Sequence, residues 1–131
     1  MNNKEKNETQ KVVRIGNKAY VINAFKGRLG WSYLPRLTKY VFPFIGFFMN
    51  DEANEDEVIN KMIGLMSGDN ANEVINLIED LVSDIQVDNS TVDFDKEFSQ
   101  NYDTLIRLVI EVIKLNYFDS FQRLVTNFQA Q

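Results

Sequence analysis

The sequence predicts a mainly α-helical domain, with four to five helices packed like a bundle and a short β-hairpin at the N-terminal end. Over most of the chain, apolar residues recur at spacings of three and four, as on one face of a helix. Near the N-terminus, two short β-branched runs flank Gly16-Asn17. The length of 131 residues gives room for one core of ordinary size. We therefore expect a single domain at residues 11–131, after a flexible tail at residues 1–10.

The predicted hairpin pairs residues 12–15 with residues 18–22. Gly16 takes the first position of the two-residue turn, where glycine accepts a positive φ, so a type II′ turn is expected. Two strands alone are marginally stable in water. The hairpin should therefore pack on helices or pair with an edge of another chain.

A loop is predicted at residues 25–30, which contain two glycines. An apolar stripe then begins at Leu34 and continues to Phe48 at helical spacing. Pro43 lies inside this stripe and removes a helical hydrogen bond. We expect it to kink or split the helix.

Two further helices are predicted in the middle of the chain. One begins at Asn54, with Glu57 three residues later as in a capping box, and stops at Gly68. The other runs from about Asn72 to Ile85, with its apolar residues on one face.

Residues 86–95 are interpreted as a connection that contains a short extended piece. The helix with the strongest pattern begins near Tyr102, and its wide apolar face predicts that it is the central element of the bundle. A break is expected near Asn116 and Tyr117, followed by a last helix at residues 118–128.

Composition removes most named catalytic chemistries. The chain contains no Cys and no His, so it has no thiolate or imidazole ligand, no Cys nucleophile and no His-based triad. Gly27 and Gly30 match no phosphate-binding motif, and the acidic groups at residues 51–57 and 88–95 lack the ligand order of an EF-hand. We expect no catalytic residues, no cofactor and no metal, and we infer a role in binding or assembly.

The charge is distributed unevenly along the chain. Residues 1–39 contain nine Lys or Arg and two Glu, whereas residues 40–131 contain five basic and seventeen acidic residues. Such asymmetry suits a basic arm for nucleic acid, or subunits that stack basic end against acidic body. The basic residues are interleaved with core-type residues and form no dense run, which favours stacking. We expect a salt-sensitive homo-oligomer that binds no nucleic acid.

The chain is expected to act in the cytoplasm. Its N-terminal residues are polar, with no apolar region of the kind found in a secretory signal. Its longest apolar stretch, residues 40–49, has half the length that a membrane span needs, about 20 residues. We therefore expect neither secretion nor insertion into a membrane.

The same stretch is the candidate partner-binding surface. On a helical wheel its apolar side chains point in too many directions for one face to bury them all. One interpretation is a helix buried on several sides. The other is that some of these side chains contact a partner, because aromatic and Met residues are enriched at interface cores. The candidate partner-binding residues are Tyr40, Phe42, Phe47 and Met49.

Several motifs occur in an order that is similar to a known family. They are Phe25-Lys26-Gly27, Trp31, the stretch from Leu34 to Pro43, the segment from Val92 to Tyr102, the long apolar helix after it, and the segment from Asn116 to Phe121. In this order they resemble the tail assembly chaperones of long-tailed phages, of the siphophage type, that infect Gram-positive bacteria. The residue usage, rich in amino acids with AT-rich codons, agrees with a low-GC genome.

The resemblance implies a non-enzymatic assembly factor. Such a protein would bind the long helical tape-measure protein, keep it soluble and aid the assembly of tail-tube subunits. Two other classes stay open from the residues alone. One is a structural head-to-tail connector or other virion subunit, and the other is a small acidic regulator that binds a host protein.

Overall fold

The computed structural model describes residues 9–44 and 55–130. In these ranges the chain forms seven α-helices and a four-stranded antiparallel sheet, so the mainly α class is confirmed. The strands are β1 (Gln10–Ile15), β2 (Lys18–Asn23), β3 (Gln86–Val87) and β4 (Ser90–Thr91). The helices are α1 (Gly27–Ser32), α2 (Leu34–Tyr40), α3 (Glu55–Met66), α4 (Ala71–Leu81), α5 (Phe94–Phe98), α6 (Tyr102–Ile113) and α7 (Asp119–Ala130).

The number of helices differs from the predicted four to five. Helices α1 and α5 have six and five residues. A helix of that length makes fewer than two turns, so it shows no repeated apolar stripe in the sequence. Strand β1 begins at Gln10, one residue inside the predicted tail, while residues 1–8 lie outside the described part of the chain.

Strands β1 and β2 pair antiparallel around Gly16-Asn17. Gly16 has a φ of 60°, a left-handed value that glycine adopts without strain. On β2, Tyr20 and Ile22 are buried, whereas the residues of β1 alternate between exposed and half-buried. The sheet therefore presents one face to the helices.

The sheet order is β1-β2-β3-β4, which corrects the prediction for residues 86–95. Instead of a connection with one extended piece, this segment forms a second tight hairpin, and Val87 pairs with Tyr20 of β2. Its turn residues Asp88 and Asn89 have φ values of 54° and 66°, as a two-residue type I′ turn requires. Sequence patterns miss it because strands of two residues show no alternation.

Helix α1 replaces the loop predicted at residues 25–30. Two glycines lower the helical propensity of this segment, but contacts to the rest of the fold stabilise it. The Tyr117 hydroxyl donates to the Gly30 carbonyl oxygen at 2.8 Å, and the Phe25 ring packs edge-on against Tyr33 with centroids 5.2 Å apart.

Helix α2 ends at Tyr40, and a 3₁₀ turn follows at Phe42–Phe44. The helix thus stops before Pro43, as expected for a residue that lacks a backbone N–H. The remainder of the predicted stripe, and the predicted start of the next helix at Asn54, lie outside the described residues.

Helix α6 is the central element, as predicted. Eight of its twelve residues are buried, and Leu108 and Val109 have no exposed surface. The predicted break near Asn116 is instead a π-helical turn at Lys114–Phe118 that continues directly into α7. The Asn116 side chain accepts from the Phe25 N–H at 2.7 Å and donates to the Val112 carbonyl oxygen at 2.9 Å. The wider turn thus places the Asn116 side chain where it bonds both to α6 and to the segment that connects β2 to α1.

Candidate functional site

A groove open to solvent lies between α3, α4, α5 and the first turns of α6. Its volume of about 540 Å³ is within the range of ligand-binding sites, about 300 to 1,000 Å³. We call it the apolar groove. Its lining residues are Ile59, Ile63, Met66, Ile75, Ile78, Glu79, Phe94, Tyr102, Asp103, Leu105 and Ile106.

The walls of the apolar groove contain large side chains that folding leaves in contact with water. Ile63 of α3 is 50% exposed, Ile75 of α4 is 40% exposed and Tyr102 of α6 is 64% exposed. The floor is buried and includes Ile78 and Ile106. Exposed apolar side chains grouped around a concave surface are typical of an interaction site.

The rim of the apolar groove is acidic. Glu79 and Asp103 line it, and both are exposed. Within the described ranges, neither carboxylate forms an ion pair with a Lys or Arg. The groove thus combines an apolar floor with negative charge at its edge, an arrangement that suits an apolar segment flanked by basic residues.

Of the four candidate partner-binding residues, the two that the structure describes, Tyr40 and Phe42, do not line this groove. The Tyr40 ring is buried, and its hydroxyl donates a hydrogen bond to Glu73 of α4. Phe42 is half-buried and packs edge-on against Phe121, with centroids 4.6 Å apart. Phe47 and Met49 lie outside the described residues. Their assignment as a partner-binding set stays a prediction.

Helix α1 forms a second exposed surface. Trp31 is 74% exposed and Leu29 is 45% exposed, and Lys26 and Arg28 beside them are exposed as well. No ion pair involves Lys26 or Arg28 within residues 9–44 and 55–130. We call these four residues the α1 surface.

Other basic residues of the N-terminal segment contact the acidic helices of the same molecule. Lys11 Nζ lies 2.6 Å from Glu111 Oε1. Arg36 Nη2 lies 2.8 Å from Asp80 Oδ2. The charge asymmetry of the sequence is therefore used partly inside one molecule, whereas Lys26 and Arg28 of the α1 surface are exposed next to Trp31 and Leu29.

Glu97 of α5 receives the most enclosed of these contacts. Its Oε2 accepts from the Tyr20 hydroxyl at 2.6 Å and from Lys18 Nζ at 2.9 Å. Burial raises the pKa of Glu97, but the two hydrogen bonds and the Lys18 charge outweigh burial and hold this pKa below its ordinary value. Burial, reinforced by the carboxylate, raises the pKa of Tyr20. The carboxylate thus joins α5 to the sheet.

Within the described residues, no three Asp or Glu side chains form a group that could hold a metal ion. The acidic residues at 51–54 lie outside the described part. Among the helices that the structure describes, none is long and apolar enough to cross a membrane.

Sequence reasoning missed the apolar groove, although one signal was available. Ile75 lies beside the buried stripe of α4, which consists of Val74, Leu77, Ile78 and Leu81. A large apolar residue off the stripe indicates a second contact surface. The other wall residues, Ile63 and Tyr102, are assigned to the groove only by the packing of the four helices that surround it.

Hydrophobic grooves built by helices are one of the recurring surfaces in which proteins bind an amphipathic helix of a partner. A family model described as "Phage tail assembly chaperone protein, TAC" matches residues 16–129 of this chain. The chain therefore belongs to the phage tail assembly chaperone family. No curated protein and no solved structure gives a significant match to it.

Proposed function

We propose that the protein binds the tape-measure protein of a phage tail, keeps it soluble in the host cytoplasm and aids assembly of the tail-tube subunits, without catalysing a reaction. The apolar groove is the observation that supports this role. A long helical protein with exposed apolar stripes needs partners that cover those stripes until assembly. Helix-in-groove binding provides such cover.

The size of the groove fits a part of one helix. A volume of about 540 Å³ accommodates a few side chains from successive turns of an amphipathic segment. Each contact would be modest. Many copies would bind along one tape-measure protein, so that its apolar stripes are covered over their length. We also propose that copies not yet bound to the tape-measure protein associate with one another.

The aromatic segment remains a second proposed contact. Phe42 keeps part of its surface accessible next to Phe121. The buried Tyr40 ring would act indirectly, because its bond to Glu73 anchors the end of α2 to α4. Phe47 and Met49 follow Phe42 in the sequence and complete the proposed set.

Co-expression with a tape-measure fragment tests the groove. Ile75→Lys places a charge on an exposed groove wall and should leave the melting temperature close to that of the wild type. It should abolish most co-purification of the fragment. Leu124→Lys is the matched control, because Leu124 of α7 is similarly exposed but does not line the groove. Equal co-purification by both variants would contradict the proposed site.

The aromatic set has its own test. If Phe47 contacts the partner, Phe47→Ser should change the free energy of unfolding by less than about 1 kcal/mol, as at other exposed positions, and should weaken co-purification. If Phe47 is a core residue, the same change should cost several kcal/mol, on the order of other large-to-small core substitutions. A destabilised variant would remove Phe47 from the interface.

A further inference from the structure

The α1 surface presents a large, exposed aromatic side chain. Trp31 is the most exposed of the large apolar side chains that the structure describes, at 74%. Trp is also among the residue types most enriched at the energetic centres of interfaces. The backbone of α1 is fixed in place, because the Gly30 carbonyl oxygen accepts from Tyr117 and the Gly30 N–H donates to the Lys26 carbonyl oxygen. A protruding anchor on a fixed backbone loses little entropy on binding.

The apolar groove of the same chain has the complementary properties. It is concave and open to solvent, and its apolar wall, formed by Ile63, Ile75 and Tyr102, can accept an exposed side chain such as Trp31. Its rim carries Glu79 and Asp103, whereas the α1 surface has Lys26 and Arg28 beside its apolar residues. Polarity and charge are therefore complementary between the two surfaces.

The two surfaces lie at opposite ends of α6. Tyr102, the first residue of α6, lines the groove, whereas Tyr117, beyond its last residue, holds Gly30 of α1. Fifteen residues of helix separate these two tyrosines, which is about 22 Å at about 1.5 Å per residue. The α1 surface thus cannot fill the groove of its own chain, but it can fill that of another copy.

We propose that the α1 surface of one copy docks in the apolar groove of a second copy, with Trp31 as the anchor. The inference rests on the proposed function, because it assigns what fills the apolar groove while no tape-measure protein is bound. The contact joins two different surfaces, so each copy keeps one of them for a further neighbour. Binding of the tape-measure protein would displace the α1 surface of the neighbouring copy from the apolar groove and expose it.

Sedimentation velocity over a concentration series tests the contact. The wild type should associate, and the association should weaken between about 50 and 500 mM salt because screening acts on the exposed charges. Trp31→Ala and Ile75→Lys should each raise the concentration needed for half-assembly by about tenfold or more, as loss of an anchor does. Leu124→Lys should assemble like the wild type.

Mixing the two variants gives the decisive result. Trp31→Ala retains an intact groove and Ile75→Lys retains an intact α1 surface, so an equimolar mixture should form a one-to-one complex at the concentration at which the wild type associates. Thermal melting checks that both variants are folded, and Ile63→Lys replaces Ile75→Lys if the latter melts early.

Three results would overturn the inference. They are a wild type that stays monomeric at high micromolar concentration, single variants that assemble like the wild type, and a mixture of folded variants that stays monomeric. These failures are separate from failure of the proposed function. Trp31→Ala leaves the groove intact, so it should still co-purify the tape-measure fragment, whichever way the assembly experiment turns out.

Discussion

The two sides of α6 use their side chains differently. On the sheet side, Lys11 reaches Glu111 of α6, and Tyr20 and Lys18 share the Glu97 carboxylate. On the groove side, apolar walls are exposed and the rim carboxylates have no ion-pair partner among the described residues. The sheet side therefore pairs several of its charged groups within the molecule, while the groove side leaves both apolar and charged groups exposed to solvent.

This difference explains how one small acidic chain stabilises its fold and still leaves charged and apolar surfaces exposed. The charge asymmetry suggests at first a purely intermolecular role for the basic end. In the structure, Lys11, Lys18 and Arg36 contact acidic residues of the same molecule, so part of that charge stabilises the fold. The exposed charges of the α1 surface and of the groove rim take no part in these pairs.

The largest expected effect separates the core from the groove. Leu108→Ala should lower the free energy of unfolding by about 2 to 5 kcal/mol, because it leaves a cavity at a fully buried position of α6. Urea unfolding followed by circular dichroism measures the change. Ile75→Ala is the control and should cost about 1 kcal/mol or less, since the side chain already contacts water. Equal losses would mean that the groove wall is part of the core.

The second prediction concerns the sheet side. Glu97→Gln removes the charge that accepts from Tyr20 and Lys18, and hydrogen bonds to a charged group contribute about 1.5 to 3 kcal/mol. Because the folded-state pKa of Glu97 lies below its ordinary value of 4.5, its contribution is present above that value and is lost as the pH falls through the folded-state pKa.

The pH dependence provides the measurement. The free energy of unfolding of the wild type should fall more steeply than that of Glu97→Gln as the pH is lowered from about 5 to about 3, the range in which carboxylates of this kind titrate. Asp95→Asn, at an exposed position of the same helix, serves as the control. Parallel profiles for the wild type and Glu97→Gln would contradict the role given to this carboxylate.

Long periodic elements were predictable from the sequence, because their apolar stripes repeat over three or more turns. Helices α4 and α6 begin within one residue of the predicted starts near Asn72 and Tyr102. The effect of Pro43 on α2 also follows from local chemistry. The family could be inferred because several motifs occur in a characteristic order along most of the chain.

The remaining features depend on contacts between distant residues. Helix α1 forms although Gly30 disfavours it, because Tyr117 donates to its carbonyl oxygen. The pairing of Val87 with Tyr20 joins segments that are 67 positions apart in the numbering. The groove arises where four helices leave a space between them, and no local pattern encodes that space. Sequence reasoning therefore selected the most aromatic segment, residues 40–49, and not the groove.

The third prediction concerns the π-helical turn. Asn116→Ala removes the acceptor of the Phe25 N–H and leaves that half-buried donor without its bond. The expected loss is about 1 to 2 kcal/mol, the usual cost of an unsatisfied buried group. Urea unfolding measures it. Asn127→Ala, at an exposed position of α7, is the control and should have little effect on the free energy of unfolding. No difference between the two variants would mean that water replaces the Asn116 contact.

The smallest effect is expected at the pair between Arg36 and Asp80. Their nitrogen and oxygen lie 2.8 Å apart, but the side chains are 33% and 48% exposed. Water and salt screen such a pair, so Asp80→Asn should lower the free energy of unfolding by less than about 1 kcal/mol, and the difference should vanish at high salt. Arg36→Gln should cost slightly more, because the guanidinium carbon also lies 5.5 Å from the centre of the Tyr33 ring. Unfolding in urea at low and high salt compares the two variants. If Asp80→Asn destabilised the protein as much as Glu97→Gln, surface and enclosed ion pairs would contribute alike, and the proposed division of α6 into a stabilising side and a binding side would fail.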